Sequence, residues 1–137
     1  MLEDEGYRFM GAAFEVFNQL GYGMAEEIYQ QSLEIELSLR GIRFQSKREL
    51  VEYYKDRRLG THYRPDLTVC DAIVVELKAI SDLNSDHEAQ LFNYMRIARQ
   101  QVGYLLNFGK KDGLQWKRFI LTDLHSLGEE ELRGGER

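Results

Sequence analysis

Tyr7, Met10, Phe14 and Phe17 recur at spacings of three and four, which predicts an amphipathic helix over residues 4 to 20 with that stripe turned to a core. Gly21-Tyr22-Gly23 breaks the pattern. A second helix is predicted from Met24 to Arg40, with Ile28, Tyr29, Leu33 and Leu37 on its apolar face and Gly41 as the C-terminal stop. The period then changes to two. Glu49 to Lys55 and Leu59 to Val69, joined by Lys55-Asp56-Arg57-Arg58, predict a hairpin. Cys70-Asp71 turns the chain into Ala72 to Ala79, whose run Ile73-Val74-Val75 suits a central, well-buried strand. Ser85-x-x-Glu88 has the spacing of a capping box, and Leu91, Phe92, Met95 and Ala98 carry a helical stripe to about Gln100. Val102 to Phe108 and Gln115 to Leu121 complete the pattern as two strands about the polar turn Gly109 to Gly113.

The predicted order is α-α-β-β-β-α-β-β. A strand–helix–strand passage from Ile73 to Phe108 calls for a right-handed crossover, hence an α/β domain with a mixed central sheet flanked by helices. From Gly128 onward the chain (GEEELRGGER) is expected to fray. The expectation is one domain over residues 1–124 and an acidic, flexible tail over 125–137.

Composition agrees with one compact domain: 137 residues, 43% hydrophobic and 30% charged. The longest apolar runs are far shorter than a membrane span. The acidic start, Met1 to Glu5, lacks the marks of a signal peptide, which leads to the expectation of a cytoplasmic protein. Cys70 is the lone cysteine, so neither an internal disulfide nor a thiolate metal site can form within one chain. The net charge of −5 speaks at first against nucleic acid, but it is polarised. Residues 1–39 carry net −7 and residues 65–137 net −3, whereas residues 40–64 carry net +5 through Arg40, Arg43, Lys47, Arg48, Lys55, Arg57, Arg58 and Arg64. That block is either a phosphate-facing edge or a solvated face.

The candidate chemistry lies where the central strands meet. A turn at Cys70-Asp71 sets Asp66 opposite, or one residue away from, Glu76. Two carboxylates side by side in a sheet are destabilising unless compensated, and a divalent cation compensates them well with oxygen ligands. Lys78 shares the face of Glu76. The bland alternative is a surface Glu–Lys pair with an ordinary acid nearby. Glu26 shares a helical row with Tyr29, Gln30 and Leu33 and is the acid of the second helix expected to point inward, unless it only complements the helix dipole. His87, Gln90 and Tyr94 form a polar row suited to positioning a phosphate or a lysine, or simply to a core boundary. The three histidines lack zinc-hydrolase spacing, and there is no phosphate loop, dinucleotide fingerprint or nucleophile elbow.

Pro65-Asp66, then Glu76-Leu77-Lys78, then Gln90-x-x-x-Tyr94 on a helix, resembles the PD-(D/E)XK nuclease superfamily. More closely, Gly23-Met24-Ala25-Glu26-Glu27-Ile28-Tyr29 looks like the signature of the GxxExxY protein family, with GAAFEVFNQLG, YRPDLTV, VVELKAI, HEAQLFNYM and VGYLLNFG around it, from about Glu5 to Leu121. The chain departs from that family at Phe17-Asn18 and at Tyr22, and neither change touches a presumed ligand. The resemblance implies a restriction-endonuclease-like core and a Mg²⁺- (or Mn²⁺-) dependent nuclease acting on DNA or on RNA. Asp66, Glu76 and the Leu77 backbone carbonyl would hold the metal, with Glu26 joining directly or through water. Lys78 would serve the attacking water. Gln90, Tyr94, His87 and Arg64 would engage substrate or tune Lys78. A nucleic-acid- or protein-binding module that keeps the fold without useful catalysis is the alternative; dimerisation would extend the reach of so small a domain.

Overall fold

The computed structural model describes residues 1–122 and the backbone of 129–136. Its elements are α1 (Glu3–Leu20), α2 (Glu26–Leu39), β1 (Phe44–Ser46), β2 (Tyr53–Tyr54), β3 (Arg57–Arg58), β4 (Leu67–Val69), β5 (Ile73–Lys78), α3 (Ser85–Ala98), β6 (Val102–Asn107), β7 (Gln115–Leu121) and β8 (Glu129–Glu136). Six strands form one sheet in the order β1-β4-β5-β6-β7-β8, and β2 pairs with β3 apart from it. Among the described strands only β5 and β6 run parallel, joined through α3, so the sheet is mixed as expected.

The sheet is covered on both faces. Ile73, Val75 and Leu77 pack with Phe9, Ala13 and Val16 of α1 and Tyr29, Leu33 and Leu37 of α2. Val74 faces the other way, onto Leu91 and Met95 of α3. Two faces of apolar cover explain why β5 reads as a nearly continuous hydrophobic run, and why the polar members of that run, Glu76 and Lys78, stand out.

Several expectations need correction. The buried stripe of α1 is Phe9, Met10, Ala12, Ala13 and Val16, while Tyr7 is 82% exposed. The packed side centres on Phe9, which meets Tyr104 edge-on at 5.5 Å, with Gly6, Ala12 and Ala13 letting the helix settle close to the sheet; Phe14 and Phe17 of the expected stripe are half-buried at the edge of this core. The predicted hairpin is regular only beside its turn, where Lys55 takes φ 56°. Beyond it, pairing persists as the Leu59 amide donating to the Glu52 carbonyl at 3.0 Å and the isolated bridge between Leu50 and Tyr63. A ribbon with no layer packed on it buries too little to stay regular along its length. The strand β1 is additional to the predicted order; three residues with one aromatic carry no period, and their place is set by pairing with buried β4. The cap of α3 is Asn84, whose side chain accepts from the amides of Asp86 and His87 while His87 Nδ1 accepts from the Asn84 amide, so the capping box lies one residue before the expected Ser85–Glu88 pair. Glu88 instead binds Lys117 at 2.7 Å. Where a frayed tail was expected, Glu129–Glu136 pairs antiparallel with β7, using backbone groups that need no apolar alternation; residues 125–128 and 137 lie outside the described residues.

Candidate active site

The ladder between β4 and β5 runs Val69↔Ile73, Thr68↔Val74, Leu67↔Val75, and one further step sets Asp66 opposite Glu76. There the side chains take over from the backbone. The Asp66 amide donates to Glu76 Oε1 at 2.9 Å, and the Leu77 amide donates to Asp66 Oδ2 at 2.7 Å. Each carboxylate is thus tethered to the opposite strand by one oxygen, and its other oxygen, Asp66 Oδ1 or Glu76 Oε2, has no hydrogen-bond partner among the described residues.

Glu76 is 5% exposed. Its burial, followed by the charge of Asp66, pushes its pKa up to about 8. Burial also raises Asp66, against the Leu77 amide and the charges of Lys78 and Lys47, which favour ionisation. Partial desolvation and then Asp66 raise Glu26, which stands at the start of α2. The three acids therefore feel one another and resist ionising together. They do not close into a compact cluster: among the described residues no group of three or more His, Cys, Asp or Glu side chains is set to hold a metal.

Lys78 is half-buried at the end of β5, and its Nζ lies 3.4 Å from Gln90 Oε1. Gln90 Nε2 in turn donates to Tyr94 Oη at 3.3 Å, and the Tyr94 ring meets Tyr63 edge-on at 5.9 Å. Lysine, glutamine and tyrosine thus form a line along the face that carries Glu76. His87 stands apart from that line, its Nδ1 engaged in the helix cap. Arg64 binds Glu49 at 3.2 Å, and Glu49 also pairs with His62.

Three further residues shape the site. Tyr29 is fully buried, stacks on Phe108 at 4.6 Å, donates its hydroxyl to the Gly21 carbonyl at 2.6 Å and accepts from the Met24 amide at 3.2 Å. Gly23, at φ 99°, turns inside that clamp in a conformation that favours glycine, and the clamp sets where α2 and Glu26 begin. Gln30, buried on the row of Glu26, donates to the Asp66 carbonyl at 2.9 Å, and the Lys47 amide reaches the same carbonyl at 3.2 Å. The sequence does place Gln30 four residues after Glu26, but nothing local marks a glutamine whose partner is 36 residues away.

No curated protein and no solved structure matches the chain. A family model does, from residue 3 to residue 119, which takes in every described element from α1 almost to the end of β7 and spans both carboxylates and the lysine that follows them. On that match, and with the Pro65-Asp66 and Glu76-Leu77-Lys78 segments meeting across two adjacent strands, the chain belongs to the PD-(D/E)XK nuclease superfamily.

Proposed function

We propose that the chain is a Mg²⁺- or Mn²⁺-dependent nuclease that hydrolyses phosphodiester bonds in DNA, with RNA as the alternative substrate. The observation that carries this reading is Asp66 opposite Glu76 with Lys78 beyond it on the same face of the sheet. The donor set fits a hard cation: two carboxylates, each with an oxygen to spare, and the Leu77 carbonyl are all oxygen ligands, with Glu26 able to join through water. When bound, such a cation supplies Lewis acidity toward the scissile phosphate and the positive charge that lets neighbouring carboxylates ionise together.

The protein's own part is positioning. The two cross-strand hydrogen bonds from backbone amides hold the Asp66 and Glu76 carboxylates in place before any ligand arrives, and Gln30 and Lys47 fix the Asp66 backbone from behind. Lys78 orients the attacking water and stabilises charge accumulating on the phosphate, while Gln90, itself held by Tyr94, keeps the ammonium on this face. The narrower GxxExxY resemblance is supported by the same geometry, since Gly23, Glu26 and Tyr29 are a turn, a site carboxylate and the clamp that joins them.

The test is a panel of labelled single-stranded, duplex, branched and RNA substrates with Mg²⁺ or Mn²⁺. Lys78→Ala should lower cleavage by about 10²–10³-fold or more, and Asp66→Ala and Glu76→Ala should abolish it, with circular dichroism showing folded protein. Three variants that cut like the parent would sink the assignment. A second reading, a module that retains the fold without useful catalysis, draws on one observation: the Asp66 and Glu76 hydrogen bonds tie two strands together whether or not a metal binds. Stoichiometric Mn²⁺ uptake dependent on both carboxylates separates the two.

A further inference from the structure

Residues 47 to 66 form an arm that leaves the sheet after Ser46 and returns to it at Asp66. Its base is anchored at the site. The Lys47 amide donates to the Asp66 carbonyl, Glu49 holds both His62 and Arg64, Leu50 bridges Tyr63, and Tyr63 packs on Tyr94, which holds Gln90. Its tip is the two-stranded ribbon β2–β3, which among the described residues pairs with no other strand.

The tip has an unusual surface. Tyr53 is 56% and Tyr54 66% exposed, and Lys55, Arg57 and Arg58 are exposed around them. The register pairs Tyr53 with Arg58 and Tyr54 with Arg57. Successive strand residues project to opposite faces, so each face of the ribbon carries one tyrosine beside one arginine. Lys55 adds a cation 5.6 Å from the Tyr54 ring. Neither Arg57 nor Arg58 has an acidic partner among the described residues. A ribbon built to lie on its own protein would have one apolar face; this one has two faces of the same chemistry, a ring on which a base can stack and a guanidinium for phosphate.

We propose that the β2–β3 ribbon is a wedge that inserts between diverging nucleic-acid strands, stacking an unpaired base on each side, so that the preferred substrate is a duplex with a fork. This deepens the nuclease reading and rests on it for the chemistry. The ribbon's reach limits where cutting falls. At ~3.3 Å per residue, the seven residues from Ser46 to Tyr53 extend at most about 23 Å, or roughly seven nucleotides from the junction at ~3.4 Å each.

The test measures binding with the full chain carrying Lys78→Ala, so that substrate is not consumed, on a forked duplex and on a continuous duplex of equal length. The fork should bind about tenfold or more tightly. Adding Tyr53→Ala with Arg58→Ala, or Tyr54→Ala with Arg57→Ala, should each weaken fork binding about 5- to 150-fold, the range carried by a base–aromatic stack. A 2-aminopurine at the first unpaired position of one arm should be quenched on binding and lose that quenching with the substitutions on one face only. The milder Tyr53→Leu and Tyr54→Leu variants, and an unchanged Mn²⁺-induced rise in melting temperature, verify that the fold is intact. Equal affinity of fork and continuous duplex, or variants that weaken both alike, would overturn the wedge. With Lys78 restored, cleavage should fall within about seven nucleotides of the fork. Tight fork binding without cleavage leaves the wedge standing and sinks the nuclease reading; cleavage with equal affinity for both substrates does the reverse.

Discussion

Glu76 sits beside a second carboxylate in the interior of a sheet, and the free-energy consequence depends on pH. Its pKa stands at about 8 in the folded chain against an ordinary 4.5, chiefly because burial disfavours the charged form. Below 4.5 the proton is bound in both states, so this contribution to stability is fully present; as pH rises the unfolded chain releases the proton first, and the contribution is lost through about pH 8. In metal-free buffer the melting temperature of the parent should therefore fall from about pH 5 to pH 8.5 more steeply than that of Glu76→Gln, a neutral side chain of the same shape. Identical slopes would mean that another group governs the pH response. The opposition of Asp66 and Glu76 was legible from a short turn and the antiparallel register that follows from it. That each carboxylate accepts the amide of the opposite strand was not, because the ladder's end at Leu67–Val75 is a tertiary outcome.

Among the elements, α1 shows how periodicity finds a helix and misses its orientation. Residues at spacings of three and four exist on two overlapping stripes, and the one that packs is chosen by small residues, which hydrophobic patterns weigh little. Gly6 is the sharpest case, since a Cβ there would lie 2.0 Å from Tyr104 Oη and 3.0 Å from its Cζ. Gly6→Ala should destabilise the protein by about 1–3 kcal/mol, read as a lower melting temperature, and Tyr104→Phe in the same chain should recover part of that by removing the clashing oxygen. Tyr7→Ala, on the stripe that looked buried, should stay within about 0.5 kcal/mol of the parent. A large loss at Tyr7 and none at Gly6 would restore the orientation expected from periodicity.

At the scale of the whole molecule, the negative charge and the basic block belong to different regions. Two acids stand at the centre of the sheet, while the arm that rejoins it at Asp66 carries Lys55, Arg57 and Arg58 outward. No helix among the described residues is long and apolar enough to cross a membrane. A cation that binds only the folded chain must also raise its stability. At a hundred times its dissociation constant, Mn²⁺ contributes about 2.7 kcal/mol, which for a domain of this size is a rise of roughly 5–10 °C in melting temperature. The rise should vanish in Asp66→Ala and in Glu76→Ala. A rise that survives both substitutions would place the cation elsewhere.

The sequence by itself determined the order of the principal elements, the buried central strand and the meeting of Asp66 with Glu76, because these depend on local period and on a turn of two residues. It also carried the family, through Pro65-Asp66 and Glu76-Leu77-Lys78. Only the tertiary structure decided which side of α1 is buried, that Phe44–Ser46 joins the sheet, that Gln30 and Lys47 hold the Asp66 backbone, and that Tyr53 and Tyr54 stand free at the tip of an arm. Each of these depends on a partner distant in sequence, or on the absence of a packed layer, and neither leaves a periodic trace in the residues concerned.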